Sequence, residues 1–258
     1  SLTQGTFTLT PQLLFPYFIY SQFRLKQKNK EQTMYVGWNM KTNLITISPE
    51  TSIFKAREMM NEHKISHLLV TDGKAHLLGI VTDRDLKQAW ASPATTLTVH
   101  ELTYVLQKLT AANVMTKDVI TGTPDMTIER AARIMFDNKI GALPILKDDK
   151  LVGLITTSDL TEILLTALGM SDDSRRLSLL VKDRVGVLAD VGKYMAQAGI
   201  NIRSVLFVPL PGHQDYWQLI LRFHLNNFQR ATEVLKEAGF KVLVDYEEDP
   251  SPYLESPS

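Results

Sequence analysis

Gly79-Ile80-Val81-Thr82-Asp83-Arg84-Asp85-Leu86 recurs as Gly153-Leu154-Ile155-Thr156-Thr157-Ser158-Asp159-Leu160, and this recurrence decides the fold. Each copy is a short apolar run that turns into a polar Thr-x-x-Asp and then into a helical pattern. Upstream, Ile45-Thr46, Pro49, Ile53, Ala56, Met60, Lys64-Ile65 and Leu68 return at a constant offset as Ile120-Thr121, Pro124, Ile128, Ala131, Met135, Lys139-Ile140 and Leu143. One residue is lost in the loop before the second glycine. Internal repetition of this kind governs how the rest of the chain is read.

Within the first copy, Leu44–Ile47 reads as a strand closed by Ser48-Pro49, because the residue before proline is pushed to extended geometry. Ile53, Ala56 and Met60 share one helical face. Leu68–Val70 and Leu77–Val81 are strands around an Asp72-Gly73 turn, and Thr82 opens a second helix. The order is β-α-β-β-α over residues 34–91. Residues 92–113 form a connector with helical spacing from Val99 to Ala111. The second copy, 114–170, repeats the order with strands at Val119–Thr121, Leu143–Leu146 and Leu151–Ile155. A polar linker, 171–175, leads into residues 176–247, where the pattern becomes β-α-β-β-α-β, the ferredoxin-like order. The class is α+β throughout. Residues 1–33 belong to neither copy and read as an expression scar or over-long start, or else as an arm packing Leu13, Leu14, Phe15 and Phe18; residues 248–258 read as a frayed tail.

Composition narrows the function classes. The 28 acidic and 28 basic side chains balance, against the basic excess of a nucleic-acid binder. There is no cysteine, which removes disulfides and thiolate metal sites and fits a reducing cytoplasm. The apolar run Leu13–Tyr20 is too short to span a bilayer, which needs about 20 residues, so no membrane association is expected. His63 and His67 have no acidic partner set to complete a metal triad. There is no nucleophile–base constellation, P-loop or dinucleotide glycine fingerprint, and the chain reads as a non-enzyme.

The Thr-x-x-Asp pairs have two readings on physical grounds alone. Each is a capping box, the threonine hydroxyl accepting from a first-turn amide and the acid reaching back. Equally, a strand feeding a helix N-terminus leaves N–H groups and a positive dipole end suited to phosphate, with an aspartate to accept from two ribose hydroxyls.

The paired Gly-h-h-Thr-x-x-Asp motifs, together with Lys64-Ile65-Ser66-His67-Leu68-Leu69-Val70 and Lys139-Ile140-Gly141-Ala142-Leu143-Pro144-Ile145, resemble CBS domains over nearly all of 34–170. That resemblance implies two repeats about a pseudo-two-fold axis with clefts for adenosine ligands: AMP, ADP, ATP or S-adenosylmethionine. Carried over, Asp85 and Asp159 hold ribose hydroxyls and Thr82 and Thr156 touch phosphate. Ile45, His67, Ile120 and Ala142 line the base pockets. Arg84 is matched by Ser158, and Ile47 by Gly122, so the clefts are not equivalent and the Arg84 side suits a charged nucleotide. Val181-Lys182-Asp183-Arg184-Val185-Gly186-Val187-Leu188, with Ala198-Gly199-Ile200-Asn201-Ile202, resembles an ACT domain. There the resemblance implies an amino-acid site using Asp183, Gly186 and Asn201, while Gly186 as a helix start and Asn201 as a turn residue remain the simple alternative. Both modules self-associate in their families, which implies a homodimer or higher homo-oligomer. The order CBS–CBS–ACT is similar to bacterial acetoin-utilisation proteins of the AcuB type, implying a regulator in acetoin or carbon metabolism acting on a metabolic enzyme. A pure assembly scaffold and an amino-acid sensor are the competing expectations.

Overall fold

The computed structural model of the chain describes residues 34–91, 108–213, 215–243 and 254. The leading 1–33, the helical spacing read from Val99 to Leu106, and the tail apart from Leu254 lie outside them. Two units part between Thr157 and Ser158, upstream of the polar stretch 171–175.

The first unit runs α1 (Val36–Asn39), β1 (Thr46–Ile47), α2 (Ile53–His63), β2 (His67–Thr71), β3 (Leu77–Thr82), α3 (Asp83–Ala91), α4 (Ala111–Val114), α5 (Ile128–Asn138), β4 (Ala142–Lys147) and β5 (Lys150–Thr156). Helices α2 and α5 show how closely the copies agree. Ser52 and Thr127 cap them, each hydroxyl accepting from the amide three residues on at 3.2 Å, which satisfies a donor the helix itself leaves open. Ile53, Ala56 and Met60 are buried in one, and Ile128, Ala131 and Met135 in the other, the i, i+3, i+7 face expected of an amphipathic helix. Both helices end on a left-handed lysine, Lys64 at φ 53° and Lys139 at φ 54°. The following Ile65 and Ile140 donate back to Met60 and Met135 at 2.9 and 3.0 Å, closing the last turn.

β1 lies parallel to β2, which pairs antiparallel with β3, and β4 pairs antiparallel with β5. The strand expected at Val119–Thr121 does not form. Its place is taken by one parallel bridge between Gly122 and Ile145, with Gly122 N–H donating to Pro144 O and Leu146 N–H to Gly122 O, both at 2.9 Å. A Cβ on Gly122 would stand 3.0 Å from the Leu143 side chain and 3.1 Å from that of Ile145. Side chains of β4 thus fill the room a strand residue would need, and glycine weakens a strand in any case.

The opening segment of each repeat is built into the other. Along the second repeat, Val36 N–H donates to Met126 O and Gly37 N–H to Pro124 O, both at 2.8 Å, while Lys41 and Leu154 exchange backbone bonds at 2.9 and 3.0 Å. At the same offset as the rest of the repeat, Ala111 N–H donates to Thr51 O at 2.8 Å, Ala112 N–H to Pro49 O at 2.9 Å, and Thr116 and Ile80 exchange bonds at 2.9 and 3.0 Å. This crossing accounts for the glycine of the duplicated motif. A Cβ on Gly79 would stand 2.6 Å from Sδ of Met115, and one on Gly153 would overlap Sδ of Met40. Between the repeats, Leu69, Ile80, Ala142 and Leu151 form one buried cluster with Leu44, Leu77, Val119, Leu146 and Leu154 packed on it.

Helix α6 (Thr157–Ala167) opens on the last residue of the first unit and continues into the second, where it is followed by β6 (Ser174–Lys182), α7 (Val187–Gln197), β7 (Ile202–Pro209), β8 (Tyr216–His224), α8 (Phe228–Glu237) and β9 (Lys241–Leu243). The sheet order is β7-β8-β6-β9 with every neighbouring pair antiparallel, the ferredoxin-like arrangement. Alternate residues Leu177, Leu179 and Val181 of β6, and Leu219, Leu221 and Phe223 of β8, meet Val191, Met195, Ala231 and Leu235 of the two helices. The polar stretch after α6 is fastened down. Arg203 grips Asp173 with two bonds of 2.6 and 2.8 Å, and Ser204 Oγ donates to Leu168 O at 2.6 Å. The end of α6 and β7 are thereby tied together.

Two outcomes follow for stability. Gly79→Ala should lower the unfolding free energy by about 1–3 kcal/mol, the usual cost of overpacking, in a denaturant titration. Adding Met115→Ala should recover part of it, because touching residues couple; no loss in the single variant would contradict the close approach. The second concerns the β2–β3 hairpin. Asp72 accepts from the His76 ring at 2.7 Å and from the Lys74 and His76 amides at 2.8 and 3.1 Å, the His76 bond foremost in holding its carboxyl down to about 2 from 3.8. A carboxylate with a depressed folded pKa stabilises above its unfolded value and loses that contribution as pH falls through the folded one. Acid titration should show the hairpin loosening between about pH 4 and about pH 2, a step that Asp72→Asn lacks.

Candidate ligand site at the duplicated strand-to-helix corner

Thr82 ends β3 and Asp83 starts α3, so the motif forms a sharp corner. The capping box is complete there. Asp85 Oδ2 accepts from the Thr82 amide at 2.8 Å and from the Thr82 hydroxyl at 2.7 Å, while the Asp85 amide donates to Thr82 Oγ1 at 3.2 Å. All of this uses one carboxylate oxygen. Oδ1 of the half-buried Asp85 accepts no bond among the described residues, and an ionised carboxylate can take about four in all. The Thr82 proton, by contrast, is already given to Asp85. Among the first-turn amides, that of Asp83 donates to Ser66 O at 3.0 Å, while the Arg84 amide has no part in the cap among the described residues. The Arg84 guanidinium is exposed, and the neighbouring Asp83 charge is met by Lys87 at 2.5 Å.

His67 opens β2 directly across the ladder from Thr82. It is half-buried, and burial pushes its imidazole below the usual histidine range against the opposing pull of Asp85. Desolvation penalises the charged form, so the ring stands neutral at pH 7. Ile45 is half-buried and packs on the first repeat's core. Its counterpart Ile120 is 37% exposed, and Ala142 is 5% exposed within the cluster between the repeats. In the second copy Thr156 ends β5 and Asp159 is the third residue of α6; both are half-buried and both hold partners. The Thr157 amide donates to Gly141 O at 3.1 Å, as Asp83 does to Ser66. Gly141, which also lies against His67, is the neighbour that motif spacing did not single out; its only sequence signal is glycine at the position of Ser66.

In the second unit, Gly186 caps α7 at φ +91°, a left-handed conformation that favours glycine. The loop before it is fully solvated, with Val185 100% exposed. Asp183 N–H donates to Asp215 O at 2.8 Å, and Arg184 pairs with Asp190 at 2.5 Å. Asn201 is exposed just beyond Gly199, itself left-handed at φ +69°. No hydrogen bond joins Asn201 to Asp183 or Gly186 among the described residues. Nor is any group of three or more His, Asp or Glu among those residues placed to hold a metal ion. No helix of the described residues is long and apolar enough to cross a membrane.

The CBS domain family matches residues 36–92 and 111–166, and the ACT domain family matches 175–239. The chain is a tandem pair of CBS domains followed by a C-terminal ACT domain. Among curated relatives, inosine-5′-monophosphate dehydrogenase of Nitrosopumilus maritimus is 37% identical over 126 residues, 48% of this chain but only 23% of that enzyme's length. Among solved structures, a Vibrio cholerae protein assigned to acetoin utilization (AcuB) is 29% identical, covering 54% of this chain and 95% of its own, with a TM-score of 0.46. A CBS domain pair solved with 5′-methylthioadenosine and S-adenosyl-L-methionine is 26% identical, covering 52% and 97%, with a TM-score of 0.44.

Loss of the cap should be measurable without any ligand. Thr82→Ala should cost about 1 kcal/mol in denaturant unfolding, whereas Arg84→Ala, on the surface, should stay within about 0.5 kcal/mol of wild type.

Proposed function

We propose that this chain is a regulatory ligand sensor with no catalysis of its own. An adenosine-containing nucleotide (AMP, ADP, ATP or S-adenosylmethionine) binds between the paired CBS repeats. The observation that carries this reading is at Asp85: the helix cap engages Oδ2 and leaves Oδ1 open, so the residue can stay a cap and still accept from ribose hydroxyls. Arg84 and its amide face the phosphate more readily than Thr82, whose proton is engaged. Ile45 and His67 flank the base. The second corner, with Asp159, Thr156, Ile120 and Ala142, has Ser158 in place of Arg84 and takes a charged ligand less well. Ligand binding biases the packing of the two repeats, and α6 carries the change to the ACT sheet, whose strand β7 is fastened by Ser204 to Leu168, just past that helix, and by Arg203 to Asp173 in the stretch that follows. This requires the ligand to bind the two packings with different affinity. The working unit is a cytoplasmic homodimer that acts on a metabolic enzyme, in acetoin or central carbon metabolism.

A thermal-shift panel of AMP, ADP, ATP, S-adenosylmethionine and amino acids tests the reading, since a ligand of the folded state raises the melting temperature by mass action. At least one adenosine ligand should stabilise the wild type. Asp85→Ala should weaken its binding by about ten- to a hundredfold, the loss of charged hydrogen bonds worth about 1.5–3 kcal/mol. A response to an amino acid alone would move the input to the Asp183–Gly186 loop and Asn201. Silence across the panel would leave an assembly scaffold.

A further inference from the structure

We propose that His67 couples the two corners, so that a ligand seated at Thr82–Asp85 alters the start of α6 through this imidazole. The proposal rests on the nucleotide reading above and adds a route to it. On one side, His67 stands directly across the ladder from Thr82, whose hydroxyl donates to Asp85 at 2.7 Å. On the other, it lies against the backbone of Gly141, where a methyl group would stand 3.0 Å from Nε2 and 3.3 Å from Cε1. The Gly141 carbonyl holds the beginning of α6, accepting from the Thr157 amide at 3.1 Å and the Thr157 hydroxyl at 3.3 Å. Thr82, its ladder partner His67, Gly141 and Thr157 therefore follow one another from one corner to the other, half-buried at Thr82 and His67 and exposed at Gly141 and Thr157.

The pseudo-symmetric route is missing. The counterpart of His67 is Ala142, and that of Gly141 is Ser66, whose carbonyl takes the Asp83 amide at 3.0 Å. A methyl side chain cannot reach across as an imidazole does. One histidine facing one glycine makes the connection, and the two copies of the motif differ at both positions. Gly141 is thus read as a residue kept small to admit the ring. By linkage the coupling is reciprocal in free energy, although a single side chain carries it.

The test uses the full chain and AMP as the probe, in an Asp159→Ala background that confines AMP to the first corner (Asp159→Asn if the alanine variant fails to fold). Calorimetry reports binding, and hydrogen exchange reports the Thr157 amide. AMP should slow Thr157 exchange in this background. The response should vanish in the added His67→Ala variant at saturating AMP, with binding retained though weakened, and should return in part with His67→Gln. A Thr157 response that survives His67→Ala overturns the proposal. So does complete loss of AMP binding in that variant, which would make His67 a ligand contact only. If wild type binds no AMP, ADP, ATP or S-adenosylmethionine, the nucleotide reading itself has failed and this coupling falls with it.

Discussion

The close approach of a methionine to a glycine, made twice, is the constraint on which the CBS pair depends. Met115 lies over Gly79 and Met40 over Gly153, each methionine carried there by a segment that belongs in sequence to the other repeat. Neither repeat is complete alone: the first lacks the bonds from 109–116, and the second those from 34–41. The corners at Thr82 and Thr156 therefore hang from strands whose faces are closed by the opposite copy. Anything that shifts one repeat against the other must move the strand that feeds a corner, which is why a ligand there is in a position to act on the pair as a whole.

Cap and binding site are often treated as rival explanations of a Thr-x-x-Asp at a helix start. At Asp85 they are compatible, because a carboxylate has two oxygens and the cap engages only one. The cap even serves the site, fixing the side chain that a ribose would meet. The same geometry shifts the expected phosphate contact away from Thr82, whose hydroxyl proton is engaged, toward the Arg84 side chain and amide.

The repeat, the buried faces of α2 and α5 and the ferredoxin-like second unit were legible in the sequence because each has a period: the constant offset of the copies, the i, i+3, i+7 spacing, the alternation in β6 and β8. The loss of the strand expected at Val119–Thr121 was not legible: Gly122 in place of Ile47 marked a difference between the copies, but that Leu143 and Ile145 fill the space required coordinates. The exchange of opening segments was not legible, because Val36 and Gly37 share no residue type with Ala111 and Ala112; what they share is backbone bonding. For the same reason Gly141 escaped notice: its role is to be small beside His67, and smallness beside a residue distant in sequence leaves no pattern. The grip of Arg203 on Asp173 was hidden likewise, since a polar stretch reads as a linker until its partner is seen.

The regulatory role proposed for this chain turns on whether the Thr82–Asp85 corner faces a ligand. The most direct measurement is a crystal structure of the chain grown with AMP. In that structure a ribose hydroxyl should lie within hydrogen-bond distance of Asp85 Oδ1, with the Thr82–Oδ2 cap intact and the phosphate toward Arg84. Clear density for AMP at another surface, with Asp85 Oδ1 left to solvent, would contradict it.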